Sequence, residues 1–137
     1  VAEIIAGQSP EINHHLIPNV VYTWPEVASV GATEDELKES GRVIKIGIFP
    51  FKANGRAKIS MDTDGFIKVI ADKNTDEILG VHMIGPRCAD LISEAVLAME
   101  YKATAEDVAM VTHAHPTFSE VMKEACLSAT DNRALHI

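Results

Sequence analysis

Residues 66–102 decide the fold: Phe66-Ile67-Lys68-Val69-Ile70-Ala71-Asp72, then Lys73-Asn74-Thr75-Asp76, then Glu77-Ile78-Leu79-Gly80-Val81-His82-Met83-Ile84, followed after Gly85 and Pro86 by a largely apolar run from Cys88 to Lys102. The first and third segments are rich in β-branched residues and read as strands, and the four residues between them are turn formers. Beyond Pro86 the period changes. Cys88, Ile92, Ala95, Val96 and Met99 recur at helical spacing, so Cys88–Lys102 is a helix with a broad apolar face suited to packing on the sheet. Two neighbouring strands followed by a helix place the chain in the α+β class, as an antiparallel meander with helices packed on it.

Upstream, Val43–Phe49 alternates, with Ile44, Ile46 and Ile48 on one face and Lys45 and Gly47 among the residues on the other, which predicts a half-buried strand. Pro50–Arg56 reads as a loop and Lys58–Met61 as a further strand, closed by the turn Asp62-Thr63-Asp64-Gly65. Val20–Thr23 suits a strand that Pro25 interrupts. Thr33 with Glu36 forms a capping box for a short helix to Ser40, with Gly41 at its left-handed end. Thr104 with Asp107 opens a second late helix, and Thr117 with Glu120 a third that runs to about Ser128. Gln8–Pro18 is a polar connector. Residues 1–7 read as the last turns of a helix from a preceding domain, closed by Gly7, which leaves 8–137 as one domain.

Composition agrees with one compact unit. The 137 residues are 47% hydrophobic, enough for a core without staples or metals in a chain of this size. Twelve Lys and Arg against 20 Asp and Glu give a formal charge of −8, which argues against a nucleic-acid partner. No apolar run approaches the roughly 18 residues needed to cross a bilayer, so no membrane partner is expected. Cys88 and Cys126 are too few for a disulfide framework and too far apart for a local redox pair, which suits a reducing compartment. As residues of helices they are expected to pack as small apolar groups.

Chemistry concentrates in His113-Ala114-His115-Pro116-Thr117-Phe118-Ser119-Glu120, in the break between two helices. Pro116 disfavours the helical region at His115 and holds that residue on an extended segment. An imidazole, titrating near about 6.5 in isolation, moves protons close to neutral pH. Glu120 folding back from the next helix would bond one ring nitrogen and fix the tautomer, so a His115–Glu120 dyad is predicted. The same pattern also suits a plain helix cap beside a surface histidine. A His-x-His metal site is the third possibility, but zinc wants three or four protein ligands and no spaced third ligand accompanies the pair, so no metal is expected. His82 is expected to be a packed, hydrogen-bonded strand histidine, His14 and His15 solvated or at an interface, and Trp24 a core or rim aromatic. No G-x-G-x-x-G or Walker-type loop is present to cradle a dinucleotide.

The 113–120 run resembles the C-terminal motif of the dihydrolipoamide dehydrogenase family, flavoprotein disulfide reductases. The stretches Thr23-Trp24-Pro25-Glu26-Val27-Ala28-Ser29-Val30-Gly31, Phe49-Pro50-Phe51-Lys52-Ala53-Asn54-Gly55-Arg56-Ala57 and Ile78-Leu79-Gly80-Val81-His82-Met83-Ile84-Gly85-Pro86 are similar to that family too, in order along nearly the whole chain. The His14-His15 pair departs from it, where relatives often carry a tyrosine. The resemblance implies a C-terminal dimerisation domain of a homodimer, in an enzyme that oxidises dihydrolipoyl groups on the lipoyl domains of 2-oxoacid dehydrogenase complexes. There electrons pass through a redox disulfide and FAD to NAD⁺. It implies that His115 is a general base serving the partner subunit, that Glu120 orients it, that the backbone of His115 and Pro116 lies near the partner's flavin, and that the His115–Pro116 bond is cis. FAD, NAD and the disulfide belong to the rest of such an enzyme, so this segment alone is expected to bind no cofactor and to be inactive. The location implied is the cytoplasm, or the mitochondrial matrix in a eukaryote. Glutathione and trypanothione reductases are the sibling alternative, and a dimerisation module without catalysis is the non-enzymatic one.

Overall fold

A computed structural model describes residues 1–136, so Ile137, the last residue of the expected domain, lies outside the described residues. Its elements are α1 (Ala2–Ile5), β1 (Asn19–Val21), β2 (Glu26–Gly31), α2 (Glu34–Glu39), β3 (Ile44–Pro50), α3 (Gly55–Ile59), β4 (Phe66–Asp72), β5 (Ile78–Gly85), α4 (Cys88–Glu100), α5 (Ala105–Met110) and α6 (Glu120–Ala129), with short 3-10 turns at His14–Leu16 and Phe51–Ala53. One five-stranded antiparallel sheet, in the order β1-β2-β5-β4-β3, runs through the domain. The expected meander is therefore β3-β4-β5. The β1-β2 hairpin, of which only β1 is foreseen by the sequence, adds to the free edge of β5.

Register explains which face is buried. Gly47 stands opposite Val69, Val69 opposite Val81, and Val81 opposite Val30, so one row crosses four strands on the side the helices cover. Phe49, Ile67, Met83 and Ala28 form the next row, all buried. Ile92, Ala95 and Met99 of α4 and Val121, Met122 and Ala125 of α6 fill the same core. Cys88 and Cys126 are both buried within it, and desolvation pushes the Cys88 thiol up to about 12. Desolvation moves Cys126 in the same direction. Neither ionises near neutral pH, so both pack as the small apolar residues expected.

Two details differ from the sequence-based expectation. The isoleucines of β3 do not make its helix-covered face. Ile48 is exposed, and Gly47 and Phe49 meet α6 instead. A Cβ at Gly47 would stand 2.0 Å from the Ala125 carbonyl and 2.4 Å from the Ala129 amide, so glycine allows α6 to lie directly on the strand. Lys58–Met61 is not a strand, because Asn54 accepts the Ala57 amide at 2.9 Å and caps the helix α3, with Ile59 and Met61 left exposed. Trp24 is 78% exposed, so of the two expected places, core or rim, it takes the rim.

Other local expectations hold. Thr33 and Glu36, and Thr104 and Asp107, make reciprocal capping boxes, each worth about 1 kcal/mol of helix stability. His82 Nε2 donates to the Ala32 carbonyl, 3.1 Å away. Glu26 receives the Ala89 amide at 2.9 Å, placing a carboxylate at the positive end of α4. Among the described residues no helix is long and apolar enough to cross a membrane.

Replacing Gly47 with Ala tests how α6 is seated. The added methyl overlaps backbone atoms that cannot rotate away, so a loss of about 1–3 kcal/mol in a denaturant melt is expected. Unchanged stability would mean that α6 moves freely over the strand.

Candidate active site

The loop joining α5 to α6 carries the chemistry, and both of its flanks are pinned. Phe118 is buried against Phe51, ring centroids 6.4 Å apart, with the Arg87 guanidinium 5.3 Å above its face. Buried Asn54 donates to the Thr117 carbonyl at 3.0 Å while its oxygen caps α3, so one side chain ties the base loop to the segment after β3. The Thr117 hydroxyl donates to the Ala114 carbonyl at 2.7 Å, closing the turn around Pro116, and the His115–Pro116 peptide is cis.

At the tip of this turn the Nδ1 of His115 lies 2.8 Å from Glu120 Oε1. The other carboxylate oxygen, Oε2, accepts the Thr117 amide at 2.8 Å. Glu120 is thus oriented before it meets the ring, with each oxygen committed to a different donor. Burial pushes its carboxyl up, but the Thr117 amide and the His115 ring more than reverse this and hold it below the usual carboxylate range. An ionised Glu120 accepts only, which places a proton on Nδ1 of His115 and leaves the lone pair of the neutral ring on Nε2. The His115 side chain is 71% exposed against 19% for Glu120, and Nε2 makes no hydrogen bond to the described residues. The pair is thus a carboxylate-steadied imidazole turned outward, able to take a proton from a group supplied from outside the chain.

The expected capping box at this helix is half present. Glu120 reaches back to the Thr117 amide, but the Thr117 hydroxyl turns to Ala114 and Ser119, and α6 begins at Glu120 and not at Thr117. The carboxylate serves the ring and the turn at once. His113 does not join the dyad and bonds Glu94 of α4.

Two contributors escape sequence reasoning. Asn54 followed by Gly55 is a helix-start signal, legible in principle but hidden by reading the segment as a loop. Buried Glu124 has no local signal at all. Its two oxygens take the Leu135 amide at 2.7 Å and His136 Nδ1 at 2.6 Å, which folds the tail onto α6. Asn54, Glu124 and His136 line a pocket of about 150 Å³ together with His115 and Glu120. Gly31, Gly47, Gly65, Gly80 and Gly85 do not form a phosphate cradle, since a Cβ at each would strike the chain's own atoms, backbone at the first four and the Phe51 ring at Gly85.

A five-stranded antiparallel sheet covered by helices carries the His115–Glu120 pair on its α5–α6 loop. Residues 17–126 match the family described as the pyridine nucleotide-disulphide oxidoreductase dimerisation domain, and the chain belongs to that family. It is similar to dihydrolipoyl dehydrogenase 3 of Pseudomonas putida, 53% identical over 98% of this chain and 29% of that protein. The mitochondrial dihydrolipoyl dehydrogenase of Schizosaccharomyces pombe is 57% identical over 98% of this chain and 26% of that protein. Among solved structures, LpdA from Mycobacterium tuberculosis superposes with a TM-score of 0.83 at 24% identity, over 90% of this chain and 27% of that one. The HOCl-induced flavoprotein disulfide reductase RclA from Escherichia coli does so with a TM-score of 0.77 at 27% identity, over 80% and 25%. The chain thus spans little more than a quarter of the relatives it matches. The α+β class and the dimerisation-domain family expected from the sequence are both borne out.

Proposed function

We propose that this chain is the dimerisation domain of a dihydrolipoyl dehydrogenase, a homodimer in which His115 acts as general base on thiols held by the partner subunit. The observation that carries this reading is the His115–Glu120 pair, whose ring is 71% exposed and whose Nε2 makes no hydrogen bond to the described residues. A thiol ionises near about 8.5, and the thiolate is the form that attacks a disulfide. His115 Nε2 takes the proton of the dihydrolipoyl thiol, and the thiolate then displaces one sulfur of the partner's redox disulfide. The imidazolium formed is balanced by Glu120, and it returns the proton to the departing sulfur. The second dihydrolipoyl thiol then displaces the enzyme sulfur of the mixed disulfide, releasing the lipoyl disulfide and leaving the partner's reduced dithiol. FAD and NAD⁺, bound by the rest of the enzyme, supply the electron path away from the reduced dithiol. In this reading the backbone of His115 and Pro116 borders the partner's flavin, residues 1–7 belong to the preceding domain, and the substrate arrives on lipoyl domains of 2-oxoacid dehydrogenase complexes. The 137-residue chain by itself holds no flavin and is inactive. The location that follows is the cytoplasm or mitochondrial matrix.

Complementation tests the shared site directly. Full-length subunits carrying His115→Ala are mixed with subunits whose redox cysteines are changed to serine. Each parent homodimer is inactive, but a heterodimer keeps one intact composite site. A random mixture should regain about a quarter of wild-type activity, as expected for a two-fold symmetric dimer. No recovery on mixing would mean that the base and disulfide of one subunit serve each other.

A further inference from the structure

We propose that His113 is a positioning residue for His115: as an imidazolium spanning Glu94 of α4 and the Val111 carbonyl, it fixes the segment on which the base stands. The inference rests on the reading of His115 as that base, and it gives a role to the motif's first histidine. The His113 ring is 6% exposed. Its Nε2 lies 2.7 Å from Glu94 Oε1 and its Nδ1 3.1 Å from the Val111 carbonyl oxygen. A carbonyl and a carboxylate are both acceptors, and a neutral imidazole has only one N–H. Both contacts are hydrogen bonds only if both ring nitrogens carry protons. The proton between Nε2 and Oε1 rests on the nitrogen, because an imidazole is the stronger base by roughly 2 pH units.

The charged groups facing this ring come from two helices. Glu94 of α4 holds His113 above the ordinary histidine range against the lowering by burial, and the Val111 carbonyl adds to the rise. Lys123 of α6 opposes it weakly, and its Nζ donates to the same Val111 carbonyl at 3.0 Å. Val111 closes α5, so that one carbonyl and the His113 ring join α4, α5 and α6 just ahead of the base. Two residues further on, His115 has a single side-chain hydrogen-bond partner, Glu120. Its position depends on how firmly the backbone from Val111 to Ala114 is held. A displacement of about 1 Å in a catalytic group can cost 10²-fold in rate. Since the folded-state value of His113 is raised, the clamp contributes fully below the ordinary histidine range and is lost as pH climbs through the raised value.

The test uses the full-length flavoprotein, wild type and Glu94→Gln, with His113→Gln as a second variant should the first fail to fold. Imidazole C2–H exchange, read residue by residue by mass spectrometry, reports the titration of His113 without reference to activity. The midpoint of His113 is expected above the ordinary range in the wild type and lower in Glu94→Gln. Turnover of dihydrolipoamide by the variant at pH 8 should fall about 10-fold, with KM and flavin content unchanged and the alkaline limb of kcat moved to lower pH. A wild-type midpoint at or below the ordinary range, or a kcat profile that Glu94→Gln leaves in place, overturns the proposal. Normal turnover of His115→Ala would instead remove the base assignment while leaving the exchange result intact.

Discussion

His115→Ala in the full-length enzyme should lower turnover of dihydrolipoamide by 10²- to 10⁴-fold, the usual range for loss of a general base. Folding stability should change by no more than about 0.5 kcal/mol, because the side chain is 71% exposed and bonds only Glu120. The dissociation is the informative part. Phe118, Asn54 and Thr117 hold the loop through contacts that do not include the imidazole, so the loop keeps its shape when the ring is removed. Steady-state kinetics beside a melting curve checks this, and a variant with near-normal turnover would dispose of the base assignment.

Glu120→Gln should be nearly as damaging to rate, for a reason that lies in hydrogen-bond accounting. The carboxylate accepts from two donors, the Thr117 amide and Nδ1 of His115, with one oxygen each. Glutamine offers one oxygen and one NH₂, so it satisfies either the turn or the ring and sets a donor against the other. If the oxygen stays with Thr117, the amide NH₂ faces Nδ1 and favours the tautomer that protonates Nε2, which removes the lone pair a base needs. A fall in kcat of about 10²-fold is expected, together with a stability loss of no more than about 1 kcal/mol, since the shifted tautomer lets the glutamine oxygen and NH₂ both pair. A wild-type kcat in Glu120→Gln would show that the carboxylate serves only the turn.

The part of the site that was legible in the sequence is the local part. Pro116 and the five-residue separation of His115 and Glu120 suffice to place an imidazole on an extended tip with a carboxylate in the first turn of the next helix. The supporting residues were not legible because their partners are remote. Asn54 meets Thr117, 63 positions away, and His113 meets Glu94 across 19. No local period encodes such pairs. The misread Lys58–Met61 segment shows the converse, since its alternation mimics a strand while one upstream cap, Asn54, commits the chain to a helical turn.

What the amino-acid order determined on its own was set by near neighbours: the strands β3, β4 and β5, the long helix α4, the caps at Thr33 and Thr104, and the approach of Glu120 to His115. Tertiary structure alone decided which face of β3 is covered, because Gly47 admits the α6 backbone to a distance that no isoleucine face would allow. It also decided the exposure of the His115 ring and the anchoring of the loop beneath it. These depend on close approach between segments far apart in the chain, where steric fit and the pairing of buried donors with acceptors, and not local periodicity, select the arrangement.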